Sequence, residues 1–186
     1  MLKKMVAFVA RHAGKERSIK VRILSLVLGI FAFFIVAPIV LGMGGHFIAK
    51  HVNLAIPRIV EVPTGIAGIC VGLFFLLWAV SAFWFIGKGT PVPFASPTRL
   101  VTCGPFKYTR NPIKLGAILF YFGVGTICDQ IATGLIMLTI GAILGTIYHK
   151  TIEEKELRFR FGHEYEQYRE RTSFFIPWPP KNKNVA

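Results

Sequence analysis

Residues 113 to 148 read IKLGAILFYFGVGTICDQIATGLIMLTIGAILGTIY, two apolar runs, Ile113 to Cys128 and Ile131 to Tyr148, parted only by Asp129 and Gln130. Apart from Lys114 at one end, neither run carries a charge. The spacing predicts a tight helical hairpin, because two polar residues are enough to turn a chain but not to start a new domain. Working outward, the runs Val21 to Met43 and Thr64 to Ile86 each reach the roughly 20 apolar residues that a helix needs to cross a bilayer. The expectation is an all-α integral membrane protein of about four transmembrane helices, the last two a hairpin. It forms a single multi-pass domain over residues 1–186: a basic leader (1–22), the first two spans (23–87), and a region (88–180) of loop, hairpin and C-terminal helical extension.

The chain is 53% apolar and only 17% charged, below the roughly 25% charged share of soluble domains. Its net charge of +13 raises the question of nucleic acid, and the distribution answers it. Of 22 Lys and Arg, seven precede the first span, five lie between Lys88 and Lys114, and eight follow the last span, while only Lys50 and Arg58 lie between the first two spans. That pattern obeys the positive-inside rule, with both termini and the central loop in the cytoplasm beside anionic headgroups. The basic segments lack the signatures of a nucleic-acid reader, so none is expected as a partner.

Ile23 to Leu41 is too long for the core of a signal peptide and is read as a retained span. Leu2, Val6 and Val9 recur at helical spacing among Lys3, Lys4 and Arg11, which predicts an interfacial helix over residues 2–20. Cys70, Cys103 and Cys128 form no paired motif, and His46, His51 and His163 match no ligand spacing, so no metal is assigned. Gly65, Gly68 and Gly72 in the second span, with Gly141 and Gly145 in the fourth, suit close helix packing in lipid. Gly87 to Thr90 lacks the glycine spacing of a phosphate loop and ends the second span.

Pro91, Pro93, Pro97 and Pro105 forbid a continuous helix between Thr90 and Pro112 and leave a long loop, a length that is usually functional. Asn111-Pro112 is a helix start, with Asn to cap and Pro at the first helical position. No Pro or Gly lies between Thr146 and Phe161, so the fourth helix is expected to run on into the charged stretch Thr151 to Arg160. Glu153 and Glu154 then stand just beyond the bilayer. Gly162 interrupts, and His163 to Arg171 resumes with Tyr165 and Tyr168 on one side.

Two features of opposite polarity thus meet at one membrane face. The free amides at the start of the third span attract an anion, and Glu153 with Glu154 attracts a cation. A zwitterion with a further positive charge, such as S-adenosylmethionine, satisfies both. The same carboxylates also read as a solvated helix face, with Glu154 paired to Arg158 four residues on.

Arg99-Leu-Val-Thr-Cys-Gly-Pro-Phe-Lys-Tyr-Thr-Arg-Asn-Pro112, followed by Gly116, resembles the loop motif of membrane methyltransferases related to isoprenylcysteine carboxyl methyltransferase and phospholipid N-methyltransferases. Glu153-Glu154-x-x-Leu157, Phe161-Gly162-x-x-Tyr165-x-x-Tyr168 and Ile176-Pro177 match that family's second motif in type, spacing and order. The resemblance covers about residues 88 to 180 and implies S-adenosylmethionine as cofactor. By the same resemblance Arg99, Leu100, Val101 and Phe106 line its nucleotide and methionine parts, and Asn111, Pro112, Ile113 and Lys114 close over it. Glu153 then holds its amino group, with Glu154 as supporting acid. This chain departs from the family in having Asn111 for the usual His, Lys114 for Tyr, Phe106 for Tyr, and His149 where an arginine meets the prenylcysteine substrate.

The expected activity is methyl transfer at the cytoplasmic face to a membrane-embedded or lipophilic acceptor: prenylcysteine carboxylate, phospholipid amine, small thiol or another lipid. An in-line displacement relies mainly on orienting the reactants and excluding water. An amine acceptor needs a base, and His149 on the substrate side is the candidate catalytic residue. Two alternatives stay open at this point, an NADPH-dependent membrane reductase of sterol-reductase type and a non-enzymatic membrane protein.

Overall fold

The computed structural model describes residues 17–180 except 53, 55, 93 and 94. All but the last four residues of the expected leader helix lie outside that range. Five helices follow: α1 (Ile19–Ala49), α2 (Arg58–Phe85), α3 (Pro112–Cys128), α4 (Ile131–Tyr148) and α5 (Glu154–Arg171). Among the described residues there is no strand, only one isolated bridge between Thr109 and Ser173. Three helices are long and apolar enough to cross a membrane and α3 is a shorter apolar one, which makes this a membrane protein of about four spanning helices.

α3 and α4 have almost the boundaries of the apolar runs. α2 is longer than its run because a polar turn completes its start, whereas α1 runs on past Met43 through residues 44–49, of which His46 alone has a polar side chain. Arg58 and Glu61 form the first turn of α2, where a carboxylate suits the positive end of the helix dipole. In α1 a π-helical turn, Ala32–Val36, immediately precedes Ala37-Pro38. Proline has no N–H to give and crowds the carbonyl four residues back, and a widened turn absorbs that misfit.

Close contacts divide the chain into two compact units. The first holds residues up to Gly29, Leu77–Ile113 and Thr146 onward; the second holds Ile30–Leu76 and Lys114–Gly145. Within the second unit, backbone approaches backbone at glycines. A Cβ on Gly72 would lie 2.5 Å from the Phe120 nitrogen and 2.7 Å from the Gly116 carbonyl oxygen, and Gly65, Gly68, Gly123 and Gly134 are similarly confined. Apolar side chains gain little by leaving lipid, so close packing of this kind must hold such helices together. Gly141 and Gly145 fit more loosely, the nearest atoms to their Cβ positions being 3.1 and 3.5 Å away.

The polar ends of the hairpin are completed by the first turn of α2. Arg58 donates to the carbonyls of Thr126, Ile127 and Asp129 (3.3, 3.0 and 3.3 Å) at the end of α3, and Glu61 accepts from the Ile131 amide (2.7 Å) at the start of α4. One ion pair, Arg58–Glu61 at 3.1 Å, therefore places a cation at a helix C-terminus and a carboxylate at an N-terminus. His46 adds a 2.8 Å contact to Asp129 at the same tip.

The first unit has a small apolar core of Ala79, Ala82, Val101 and Phe106, with Phe83, Ile113 and Tyr168 packed on it. Phe83 and Phe106 stack at 4.7 Å. The loop after α2 is folded back onto this core. Lys88 has φ 51°, Thr98 donates to the Gly87 carbonyl (2.9 Å), and Gly104–Lys107 forms a 3-10 turn.

Gly72→Ala should destabilise the detergent-solubilised protein by about 1–3 kcal/mol, since the added methyl has no room. Gly44→Ala, whose Cβ meets nothing within 4 Å, should be neutral or stabilising by up to about 1 kcal/mol. Thermal unfolding of the two variants side by side checks the contrast.

Candidate functional site

The apolar part of the fourth span ends at Tyr148, and the helix continues through a π-helical turn, His149–Glu153, into α5. Within that widened turn the His149 ring meets the Glu153 carboxylate, Nδ1 to Oε2, at 2.6 Å. A carboxylate only accepts, so Nδ1 carries the proton and donates. The other ring nitrogen, Nε2, lies 3.8 Å from Glu154 Oε1. His149 is 3% exposed, Glu154 14% and Glu153 29%, so Glu153 is the carboxylate most open to a ligand.

Glu154 is held from the loop. Arg110, just before the Asn111-Pro112 helix start, donates to Glu154 Oε1 at 3.0 Å, and Arg169 of α5 stands 3.9 Å from its other oxygen. The Glu154–Arg158 pairing along the helix does not form: Arg158 pairs instead with Glu166 at 2.6 Å. The cause is Gly162, whose φ of 50° breaks α5 and folds its second half back, bringing Glu166 and Arg169 toward the first. The fold-back also buries Tyr165 beside Arg110 and Glu154, and burial pushes its hydroxyl up to about 12. Tyr168 donates to the Phe106 carbonyl at 2.7 Å.

After α5 the chain returns along the loop. The Arg110 amide donates to the Ser173 carbonyl (2.9 Å), and the Asn111 side-chain amide and the Thr109 hydroxyl both donate to the Phe174 carbonyl (2.9 and 3.3 Å). Phe174 is thereby set with its ring centre 5.2 Å from that of His149, 5.4 Å from the Arg110 guanidinium and 5.6 Å from Lys150 Nζ.

His149, Glu153 and Glu154 are thus brought together, joined by Arg110 and Phe174. Val101 and Phe106 sit in the apolar core of the same unit with Ile113 packed against it, while Asn111 and Pro112 are buried and Leu100 is half-buried. Arg99 is exposed. Lys114 belongs to the second unit, beside Gly145. Arg110 stands in the loop motif, but nothing in the sequence marks it as the partner of Glu154, and no local pattern marks Phe174. Two clustered acids, one of them partly open, fit a ligand that carries an ammonium or sulfonium cation.

A family model described as phospholipid methyltransferase matches residues 60–164, more than half of the 186. The chain belongs to the phospholipid methyltransferase family. His149, both glutamates and the whole loop fall inside the matched stretch. Among curated relatives, methanethiol S-methyltransferase 1 of Bradyrhizobium diazoefficiens is 33% identical over 84 residues, 45% of this chain and 28% of the relative. Methanethiol S-methyltransferase of Mycobacterium tuberculosis is 26% identical over 77 residues, 41% of this chain and 30% of the relative. The chain spans less than a third of the length of either relative. No solved structure matches it significantly.

Arg110 and Glu154 are both nearly buried, so removing either partner leaves an uncompensated charge. Arg110→Met and Glu154→Gln should each destabilise by about 3 kcal/mol or more. The double variant should fall short of their sum by at least about 1 kcal/mol, as contacting partners do. Thermal unfolding of the four proteins closes this cycle, and simple additivity would show that the pair is not coupled.

Proposed function

We propose that this protein transfers a methyl group from S-adenosylmethionine to a lipophilic acceptor, a thiol in the first instance, at the cytoplasmic face of the membrane. One observation carries the reading: two hydrogen-bonded pairs, His149–Glu153 and Arg110–Glu154, lie side by side where the fourth span leaves its apolar stretch, with His149 Nε2 3.8 Å from Glu154 Oε1. Family membership supplies the reaction class. The names of the two relatives favour sulfur as the accepting atom, and the distribution of Lys and Arg favours the cytoplasmic side.

Bound there, S-adenosylmethionine supplies an electrophilic methyl group on a sulfonium. Glu153 holds the cofactor's ammonium, and Glu154, fixed by Arg110, keeps a second negative charge beside it. The Ile113 amide, at the start of α3 and in the same unit, is offered to the cofactor carboxylate. Leu100 and its neighbours in the loop provide apolar surface for the nucleoside. His149 has its Nδ1 proton committed to Glu153, so Nε2 is the atom that takes the acceptor's proton, and the Glu154 carboxylate 3.8 Å away stabilises the imidazolium. Phe174 shields the histidine from water. Orientation and dryness then do most of the work, as an in-line displacement requires.

Calorimetric titration of the detergent-purified protein should show saturable binding of S-adenosylmethionine and none of NADPH. Glu153→Gln should weaken that binding about 10-fold or more, the worth of one hydrogen bond to a charged group. His149→Gln should retain binding and lose methyl transfer to thiols. An unchanged affinity in Glu153→Gln would contradict the site, and binding of NADPH alone would contradict the reaction.

A further inference from the structure

The C-terminal segment after α5 combines two properties that do not belong together in water. Its backbone is fixed and Phe174 is turned inward, yet two of its apolar side chains point outward: Ile176 is 75% exposed and Trp178 66%. We infer that Ser173–Trp178 is a strap embedded in the interfacial layer of the bilayer, in the same leaflet as the Glu153 cluster, with Ile176 and Trp178 in contact with lipid. The inference concerns a lipid-binding surface and stands whether or not the cluster transfers methyl groups.

Depth is the first argument. α2 runs without a charged residue from Val62 to its last residue, Phe85, and the next charge is Lys88. Trp78 lies seven residues inside that helix end, about 10 Å along the axis. The loop packs against the helix at this level. A Cβ on Gly104 would lie 3.3 Å from Trp78 Nε1 and 3.8 Å from Ala82, and the rings of Tyr108 and Trp78 are 6.3 Å apart. The strap in turn is bonded to Tyr108: the Trp178 amide donates to the Tyr108 carbonyl at 3.0 Å, and the Ser173 hydroxyl donates to it at 2.8 Å. The strap therefore lies alongside the last turns of an apolar spanning helix and not beyond them. A hydrocarbon core of about 30 Å inside a bilayer of about 40–45 Å puts that level near the boundary of headgroups and acyl chains.

The strap's polar groups point the same way. Irregular backbone survives at membrane depth only if its polar groups are satisfied within the protein. Ile176-Pro177-Trp178-Pro179-Pro180 has only two backbone N–H groups, because proline has none, and that of Trp178 is bonded to Tyr108. The carbonyls of Ser173 and Phe174 are bonded to Arg110, Asn111 and Thr109, and the single Ser173 hydroxyl proton is shared between the carbonyls of Tyr108 and Ile176. Chemistry of side chains agrees. Trp and Tyr are the residues enriched at the membrane–water boundary, Tyr108 is itself 37% exposed, and the sequence continues into Lys181 and Lys183, cations suited to headgroup phosphates.

The test uses the full-length protein in phosphatidylcholine vesicles whose acyl chains carry bromine close to the glycerol. Trp178 is one of three tryptophans, and the emission of the wild type minus that of Trp178→Phe isolates it. The expected difference spectrum is blue-shifted, strongly quenched by the shallow bromines and little affected by aqueous iodide. A red-shifted component quenched by iodide, or one that the bromines leave unchanged, would overturn the inference. In a chain keeping all three native tryptophans, Ile176→Trp gives an independent reading: the added emission should also be quenched by the brominated lipid, and failure to be quenched would equally overturn it.

Discussion

Every backbone polar group carried into the hydrocarbon layer of a bilayer has to find its partner within the chain, because acyl chains offer none and water is scarce there. The described structure is largely a set of answers to that constraint. In the second unit the Arg58–Glu61 pair finishes the inner ends of both hairpin helices. In the first unit Arg22 donates to the Trp84 carbonyl at 2.8 Å near the end of α2, with its guanidinium 4.0 Å from the Trp84 ring centre. In the same unit Arg110 forms an ion pair with Glu154 beside a buried histidine. The long proline-rich loop can fold back because the segment after α5 takes up its amides and carbonyls. A cluster of charges held in a water-poor place is costly to build, and that cost is why it reads as a place for chemistry more than as a support.

Much of this architecture was legible in the residues. The polar pair Asp129-Gln130 between two uncharged stretches fixed the hairpin almost to the residue, and Gly162 marked the break in α5. Gly65, Gly68 and Gly72 marked the close face of α2, because a spacing of small residues has one dominant meaning in lipid. The extent of α2 was underestimated because counting apolar residues ignores the polar turn that completes a helix, and that of α1 because Gly44, Gly45 and His46 interrupt the apolar run without ending the helix. Neither π-helical turn was foreseen: the one before Pro38 follows from an identifiable clash, but nothing local in His149–Glu153 announces the other.

The candidate site was legible in its parts and not in its wiring. Glu153, Glu154 and His149 stand close together in sequence, so periodicity placed them on one helix. Arg158, four residues from Glu154, was the natural partner by helical spacing. The fold-back at Gly162 gave it to Glu166 instead and left Glu154 to Arg110, a residue 44 positions away. Phe174 lies 25 positions beyond His149, and it reaches the ring because Thr109 and Asn111 hold its carbonyl and the Arg110 amide holds that of Ser173. Tertiary pairings of this kind leave no trace in a pattern of residue types.

Family membership, the hairpin and the acidic cluster meet in the claim that the π-helical turn after α4, together with the loop ending at Asn111, receives the methyl donor. Photo-cross-linking of methyl-labelled S-adenosylmethionine to the purified protein, followed by peptide mapping, tests it most directly. The label should be competed by unlabelled cofactor and should fall in peptides from residues 99–114 or 149–160. Competable label confined to α1 or to the first half of α2, or no competable label at all, would contradict the account.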